Sequence, residues 1–242
     1  MAGKYSIIGL VTGCLLWSGT TGLSQNMLTD NEKQQGFELI FDGNSLEGWR
    51  GYQKEKVPGK WEVDDQAIHF NPKGKGEGGT IIYDREFSDF HLKLEWKISE
   101  GGNSGIFYLG SEDPSFDRIY KTAPELQVLD NERHPDAKLG TNGNRKAGSL
   151  YDLIPAEPQN FKGAGTWNQT EVIHKDGHVK HIQNGETVLE YKIGTPMWNA
   201  LVARSKFPGL NPDWASVPEE GYIGLQDHGD KVWFRNIKIR EL

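Results

Sequence analysis

Apolar and polar side chains alternate along most of the chain from Gly36 onward, with the period of two that a β-strand imposes. At residues 90–98, five apolar positions alternate with four polar ones, namely Phe90, Leu92, Leu94, Trp96 and Ile98 with His91, Lys93, Glu95 and Lys97. This pattern predicts a strand with one buried face and one face in water.

Turn sequences separate the β-type runs. Asp176-Gly177 and Asn184-Gly185 each lie between two such runs, and Asp64-Asp65-Gln66 separates another pair. Pairs of this kind supply the positive φ angles that tight hairpins need. The sequence shows no helical periodicity longer than a turn or two. Strands that follow one another without helices predict antiparallel sheets, and therefore a sandwich or a barrel.

Three stretches interrupt the strand rhythm and are predicted to be long loops. They are a glycine-rich segment, a polar and charged segment, and a proline-containing segment, at residues 71–79, 131–148 and 207–221. Long loops carried by an ordered scaffold are where binding and catalytic sites are usually built.

The first residues have the pattern of a secretory signal peptide. Lys4 precedes an apolar run at residues 7–17, and small and polar residues follow. We expect residues 1–24 to be the signal peptide, with cleavage after Ser24, so that the mature protein is periplasmic or extracellular and carries no transmembrane helix. The segment that ends at Cys14 also resembles a lipoprotein cleavage box, so a lipid anchor at Cys14 stays open as an alternative.

The remaining chain is predicted to be a polar linker at residues 25–35 followed by a single domain at 36–242. Cys14 is the only cysteine, so thiolate chemistry, zinc–thiolate sites and iron–sulfur clusters are excluded from that domain. Acidic side chains outnumber basic ones by 34 to 27, which argues against a nucleic acid as partner. The oligomeric state stays open.

Four segments carry a resemblance to a known family. They read FDGNSLEGW at 41–49, GNSGIF at 102–107, ELQVLDN at 125–131 and IGLQDHG with FRNIKI between 223 and 239. Together they resemble the domain-of-unknown-function 1080 family, also called the 3-keto-disaccharide hydrolases, over residues 36–242. The resemblance implies an all-β fold, an antiparallel jelly-roll β-sandwich of the concanavalin A-like lectin/glucanase type. It also implies a small carbohydrate substrate.

The strand predicted at residues 125–130 places functional groups on one face. Leu126 and Val128 suit the core, which turns Glu125 and Gln127 toward the open face. The glucanases that this sandwich resembles carry the pattern Glu-x-Asp-x-Glu on one strand. This chain has Gln127 and Leu129 at the positions of the second and third acids. A retaining mechanism built on this strand is therefore not expected. The alternative for Glu125 is an ion pair with a lysine or arginine on a solvated face.

Further candidate residues lie in or beside the loops. His134 is the candidate base, because an imidazole side chain can accept a proton in water near neutral pH, with simple solvation as the alternative. Gln226 and His228 share a strand face opposite to the core, where they would contact substrate or cap a turn. Tyr151 could donate a hydrogen bond to a sugar, and Trp198 could stack on one, although both residue types also fill cores.

The hypothesis drawn from the resemblance is cleavage of a glycoside already oxidised at C3. His134 and Glu125 are the predicted catalytic residues. A divalent cation such as Mn²⁺ or Ca²⁺ is predicted at Glu125, Gln127 and His228, without an organic cofactor. The predicted substrate-binding residues are Gln127, Tyr151, Trp198, Gln226 and His228. Two alternatives stay open: a non-catalytic carbohydrate-binding module, and an ordinary glycoside hydrolase that uses Glu125 with an acid such as Asp136.

Overall fold

Two antiparallel sheets packed face to face make up the fold in the computed structural model, which describes residues 25–242. The predicted signal peptide and Cys14 lie outside the described residues. The strands are β1 Glu38–Leu39, β2 Trp49–Gly51, β3 Trp61–Asp64, β4 Ala67–Phe70, β5 Ile81–Phe87, β6 Phe90–Ile98, β7 Asn103–Gly110, β8 Glu125–Leu129, β9 Asn168–Lys175, β10 His178–Gln183, β11 Glu186–Lys192, β12 Gly221–Leu225 and β13 Val232–Glu241.

The larger sheet has eight strands and the smaller sheet has five. In the larger sheet the order is β11-β10-β9-β6-β13-β4-β3, with β1 paired to β13, and in the smaller sheet it is β2-β5-β12-β7-β8. Strand β6 spans the residues that the alternation predicts. Its Leu92 and Trp96 are buried together with Ile106 and Leu126 of the smaller sheet. The core therefore lies between the sheets, and the predicted antiparallel β-sandwich is confirmed.

Tight hairpins join β9 to β10 and β10 to β11. Asp176 and Gly177 have φ of 49° and 76°, and Asn184 and Gly185 have φ of 50° and 86°. Two consecutive positive φ angles define the type I′ turn, whose twist matches that of the strands it connects. The turns predicted at these pairs are therefore confirmed.

Residues 25–35 dock onto the larger sheet. The short helix α1, Asp30–Gln34, begins with a capping box between Thr29 and Glu32. The Glu32 carboxylate also pairs with the Lys238 ammonium at 2.8 Å, on strand β13. Asn26 is buried and exchanges backbone-to-side-chain hydrogen bonds with Asn236. These contacts correct the prediction of a polar linker, because the polar groups of this segment bond to the sheet rather than to water.

The outer face of the five-stranded sheet is covered by the predicted long loops. Between β8 and β9 the chain has only a short 3₁₀ helix, Pro135–Lys138. Between β11 and β12 it forms helix α2, Pro196–Ala203, and a 3₁₀ turn, Phe207–Gly209. Neither helix of the described chain has the length and apolar character needed to cross a membrane. The loops turn the outer face of the small sheet into the floor of a cavity.

Candidate functional site

Three neighbouring strands build the floor of the site. On β7, Gly105 lies beside Gln127 of β8. Gln226 follows the end of β12, and its backbone N–H donates to the Gly105 carbonyl at 2.9 Å. Glu125 lies one pleat further along β8, on the same face. Because Gly105 has no side chain, the Glu125 carboxylate occupies the space above its Cα. The missing side chain therefore allows an acid to lie flat on the sheet.

A cavity of about 300 Å³ opens above this floor. Strand residues form its floor and the loops that follow β8 and α2 complete its walls, so that it is lined by Asn103, Tyr120, Glu125, Gln127, Tyr151, Lys206, Phe207, Leu210, Gln226 and His228. Five predicted site residues thus lie in one cavity: Glu125, Gln127, Tyr151, Gln226 and His228.

Glu125 is the buried acid of this cavity. The residue is only 5% exposed, and its Oε1 accepts a hydrogen bond from Gln226 Nε2 at 3.1 Å. Burial raises its pKa to about 8, the negative charge of Asp136 adds to that rise, and the positive charge of Lys206 opposes it. A carboxyl group with a pKa near neutrality can both accept and return a proton at physiological pH.

Tyr151 belongs to a network of charged side chains at the wall of the same cavity. Its hydroxyl donates to Asp136 Oδ2 at 2.9 Å and accepts from Lys206 Nζ at 3.2 Å. Burial, with the nearby charge of Asp136, raises the pKa of Tyr151 above its ordinary value, so the phenol stays protonated. Asp136 uses the Tyr151 proton, so the donors that the network leaves for a ligand in this cavity are the remaining N–H groups of Lys206.

Asp136 is itself committed to a partner. Its Oδ1 accepts from the Arg145 guanidinium at 2.8 Å, while Arg145 also bonds Asp152 at 2.7 Å. A carboxylate held by an arginine and a phenol is poorly suited to protonate a leaving group. The site therefore lacks the two available carboxyl groups that an ordinary glycoside hydrolase pairs.

Two side-chain oxygens in the cavity wall are buried without a partner in the part of the chain that the structure describes. They are Asn103 Oδ1 and Gln226 Oε1. A buried acceptor without a hydrogen bond is unfavourable, unless a ligand or water supplies the donor. Hydroxyl groups of a sugar are donors of the required kind.

A second group of side chains converges next to the cavity. One ligand atom from each of His134, His228 and Asp230 lies within 4.8 Å of the others. Two imidazoles and a carboxylate make a three-ligand set that leaves further coordination positions open for water or substrate. The donor set therefore fits a divalent transition-metal ion.

This group differs from the predicted set of metal ligands, Glu125, Gln127 and His228. Of the predicted set, only His228 belongs to it. The Gln127 side chain forms hydrogen bonds with the backbone: its Oε1 accepts from the Val128 N–H at 3.1 Å, and its Nε2 donates to the Arg145 carbonyl at 3.4 Å. Glu125 is bonded to Gln226.

His134 lies outside the lining of the cavity. Its Nδ1 accepts from the Asp136 backbone at 3.2 Å, which caps the 3₁₀ helix Pro135–Lys138. Its ring centroid is 6.1 Å from that of His228. The structure thus brings His134 to the candidate metal group and leaves Glu125 as the carboxyl group that lines the cavity.

The prediction that Trp198 contacts sugar is corrected. Trp198 is 1% exposed, its ring stacks on Tyr191 and Trp214, and its indole N–H donates to the Ala215 carbonyl at 2.8 Å. No face of the ring is left for a ligand. The residue fixes α2 to the body of the sandwich.

Six residues of the site were not predicted from the sequence: Asn103, Tyr120, Lys206, Phe207, Leu210 and Asp230. Asn103 belongs to one of the segments that carry the family resemblance, and Asp230 ends the turn that follows His228. Both were therefore within reach of a motif-based prediction. Lys206 comes from an irregular segment and Tyr120 from the short 3₁₀ helix Ile119–Lys121, and neither has a sequence period that predicts where its side chain points.

Titratable groups converge in the cavity, which is what an enzyme requires and a purely aromatic sugar-binding groove does not. Glu125, Tyr151, Lys206 and His228 all line it. The aromatic residues of the same lining are Tyr120, Tyr151 and Phe207.

Two comparisons relate this sequence to known proteins. The family model of the 3-keto-alpha-glucoside-1,2-lyase-like domain matches residues 36–240. A 3-keto-disaccharide hydrolase of Bacteroides thetaiotaomicron is 48% identical over 228 residues, which cover 86% of this chain and 79% of that protein.

Solved structures show the same fold. A candidate glycosyl hydrolase from Parabacteroides distasonis superposes with a TM-score of 0.80 at 32% identity, covering 90% of this chain and all of that one. Another from the same organism superposes with a TM-score of 0.61 at 28% identity, covering 86% of this chain and 84% of that one.

Proposed function

The chain belongs to the 3-keto-alpha-glucoside-1,2-lyase-like family, and from this we propose that it cleaves the glycosidic bond of 3-keto-glycosides, including 3-keto-disaccharides. The observation that carries the proposal is the buried Glu125 carboxyl group, which shares one cavity with Tyr151 and Lys206. One available acid beside the Lys206 ammonium matches an elimination better than a two-carboxylate displacement.

The chemistry requires only one base. A ketone at C3 acidifies the hydrogen on C2, because the charge left behind is delocalised onto the ketone oxygen. Removing that proton and breaking the bond from C1 to the glycosidic oxygen forms a C1–C2 double bond. The departing oxygen takes up a proton and leaves as an alcohol. Addition of water across the double bond then completes a net hydrolysis, with all atoms balanced.

Each cavity residue has a role in this scheme. The Glu125 carboxylate removes the proton from C2, and the resulting acid can return a proton to the departing oxygen. The Lys206 ammonium donates a hydrogen bond to the ketone oxygen, where negative charge develops, and Tyr151, whose proton is held by Asp136, keeps Lys206 in place. The unpartnered oxygens of Asn103 and Gln226 accept from sugar hydroxyls and orient the ring. This scheme moves the role of base from His134 to Glu125.

We also propose that a divalent metal ion binds at His134, His228 and Asp230. A mixed nitrogen and oxygen donor set favours Mn²⁺ or a similar ion over Ca²⁺, which prefers oxygen ligands alone. Such an ion would supply a Lewis acid for the oxygens of the substrate. The chain's own contribution is to hold the two imidazoles and the carboxylate together at one end of the cavity.

Export is part of the proposal as well. The basic start, apolar run and small-residue exit of residues 1–24 support a periplasmic or extracellular location for the mature protein. A lipid anchor at Cys14 is the alternative that the same residues offer.

Matched glycosides test the proposed reaction. We expect a 3-keto-glucoside to be cleaved and its unoxidised parent to remain essentially intact, and deuterium at C2 to slow the reaction if proton removal limits the rate. Glu125→Gln should lower kcat by about 10²–10⁴ while the fold is retained. Glu190→Gln, at an exposed glutamate of β11, is the matched control.

Two results would contradict the proposal. Equal cleavage of the unoxidised glucoside would indicate direct displacement at C1. Sugar binding without turnover of either compound, with divalent metals added, would indicate a binding module.

A further inference from the structure

A second cavity adjoins the first on the outer face of the small sheet. It measures about 510 Å³ and shares Tyr120, Gln226 and His228 with the first cavity. Its far side is formed by the loops before β5 and after β7, which bring Thr80 and Arg118 to the cavity. Nothing in the proposed reaction at C2 and C3 uses these residues.

The shared residues mark the junction of the two cavities. Glu125, Tyr151 and Lys206 line only the first cavity, so the ring that carries the ketone belongs there. A substituent on C1 of that ring must leave the first cavity past the shared wall. The bond that breaks would then lie beside Tyr120, Gln226 and His228, and whatever is attached to it would enter the second cavity.

On the basis of the proposed function, we infer that the second cavity binds the leaving group and that it selects a polar one, such as a second sugar ring. The half-buried Tyr120 offers a ring at the junction, a surface on which a sugar can stack. Four charged residues also line the cavity, Lys54, Asp117, Arg118 and Asp227, which favours a leaving group with hydroxyl groups over an extended apolar aglycone.

Arg118 is the specificity-determining residue of this cavity. Its neighbours in the lining are already committed, because Lys54 pairs with Glu77 at 2.6 Å and the Gln53 amide donates to two loop carbonyls. Arg118 is exposed and has a single ion pair at 3.9 Å, with the adjacent Asp117, among the contacts of the described chain. Its guanidinium therefore keeps donors free for hydroxyl groups of a ligand.

The part of the wall that the loop before β5 forms is pre-formed. Asp227 accepts from the Gly79 amide at 2.6 Å and from the Gly229 amide at 2.8 Å, which holds the glycine-rich loop against the end of β12. A side chain at Gly78 would overlap the Asp227 carboxylate. The cavity thus needs no rearrangement of this loop to accept a ligand.

Two substrates with one keto ring and different leaving groups test the inference. Wild type, Arg118→Ala and Thr80→Trp are assayed on a 3-keto-disaccharide and on methyl 3-keto-glucoside, whose leaving group is too small to reach Arg118. We expect Arg118→Ala to raise KM for the disaccharide about tenfold, the effect of one lost charge-assisted hydrogen bond. Thr80→Trp fills the cavity and should also impair the disaccharide. Both variants should cleave the methyl glycoside like wild type.

Arg204→Ala, at an exposed arginine that lines neither cavity, is the control and should behave like wild type on both substrates. Unchanged kinetics of Arg118→Ala and Thr80→Trp on the disaccharide would overturn the inference, because the leaving group would then lie elsewhere. An equal loss on both substrates would also overturn it. Failure of the wild type to cleave either substrate would instead count against the proposed function itself.

Discussion

The Glu125 carboxylate lies directly over Gly105 of the neighbouring strand. A Cβ added to Gly105 would lie 2.7 Å from the Glu125 carboxyl carbon, well inside van der Waals contact. Gly105 has an ordinary negative φ, so the glycine is needed for space and not for its backbone conformation. The position of the proposed base is therefore set by a residue that carries no functional group.

Gly105→Ala should disable the site while leaving the fold intact. The added methyl group displaces the carboxylate from the floor of the cavity, and a displacement of about 1 Å at a reacting group can cost about 10²-fold in rate. Steady-state kinetics on a 3-keto-glucoside measure the effect. Gly209→Ala, at a glycine whose added Cβ would meet no atom within 4 Å, is the control. Activity of Gly105→Ala close to that of wild type would show that the carboxylate position is not critical.

The rate should depend on the ionisation of Glu125. The base must be deprotonated, and burial has raised its pKa to about 8, with Asp136 raising it further and Lys206 and Gln226 lowering it. We expect kcat/KM to increase with pH up to about 8 and then to level off, until a second group titrates. A profile that is flat between pH 6 and 9 would assign the base to another residue.

The same pKa makes a prediction about stability. The native state binds the Glu125 proton more tightly than the unfolded state, so this contribution to stability is complete below about pH 4.5 and is lost as pH rises through about 8. Glu125→Gln should therefore gain stability relative to wild type as pH rises, by up to roughly 5 kcal/mol above pH 8. Urea unfolding at pH 5, 7 and 9 measures the difference, and a constant difference across this range would contradict the raised pKa.

The strand β6 should tolerate polar changes on one face only. Leu94 is buried between the sheets, so Leu94→Asp places an unpaired carboxylate in the core, at a cost of several kcal/mol against a total stability of roughly 5–15 kcal/mol. Lys93 is half-buried on the opposite face, and Lys93→Gln should change the free energy of unfolding by less than about 1 kcal/mol. Thermal unfolding followed by circular dichroism distinguishes the two variants, and equal effects would mean that the strand register is wrong.

Metal binding should depend on the three converging ligands. We expect His228→Ala and Asp230→Asn to lose Mn²⁺ binding, as measured by isothermal titration calorimetry and by elemental analysis after dialysis. His178→Ala, at an exposed histidine of β10, should bind like wild type. Chelation should abolish activity of the wild type, and Mn²⁺ should restore it. Full activity of a preparation shown to be metal-free would remove the ion from the mechanism.

The mass of the exported protein tests where the predicted signal peptide is cleaved. Cleavage after Ser24 predicts a mature chain that begins at Gln25 and contains no thiol, because Cys14 is the only cysteine. Intact-mass measurement and thiol labelling of the natively expressed protein check both statements. An acylated N-terminus at Cys14 would instead identify a lipoprotein.

The local alternation of apolar and polar residues was enough to predict the strands and the side chains on one face of the site. The alternation at residues 90–98 predicted β6 to the residue, because successive side chains of a strand point to opposite faces whatever lies around them. The same parity placed Glu125 and Gln127 on the face away from Leu126 and Val128. Predictions of this kind depend only on backbone geometry, which the sequence carries locally.

Only the tertiary structure decided which groups meet. Lys206 reaches Tyr151 across 55 residues of chain, and His134 approaches His228 from a different loop. Trp198 is buried against Trp214, although composition left its side chain equally free for sugar. Irregular segments have no period that fixes the direction of a side chain, so the loops take their places only when they pack onto the sheet. The pKa of Glu125 follows from the same packing, because burial is a property of everything that surrounds a residue.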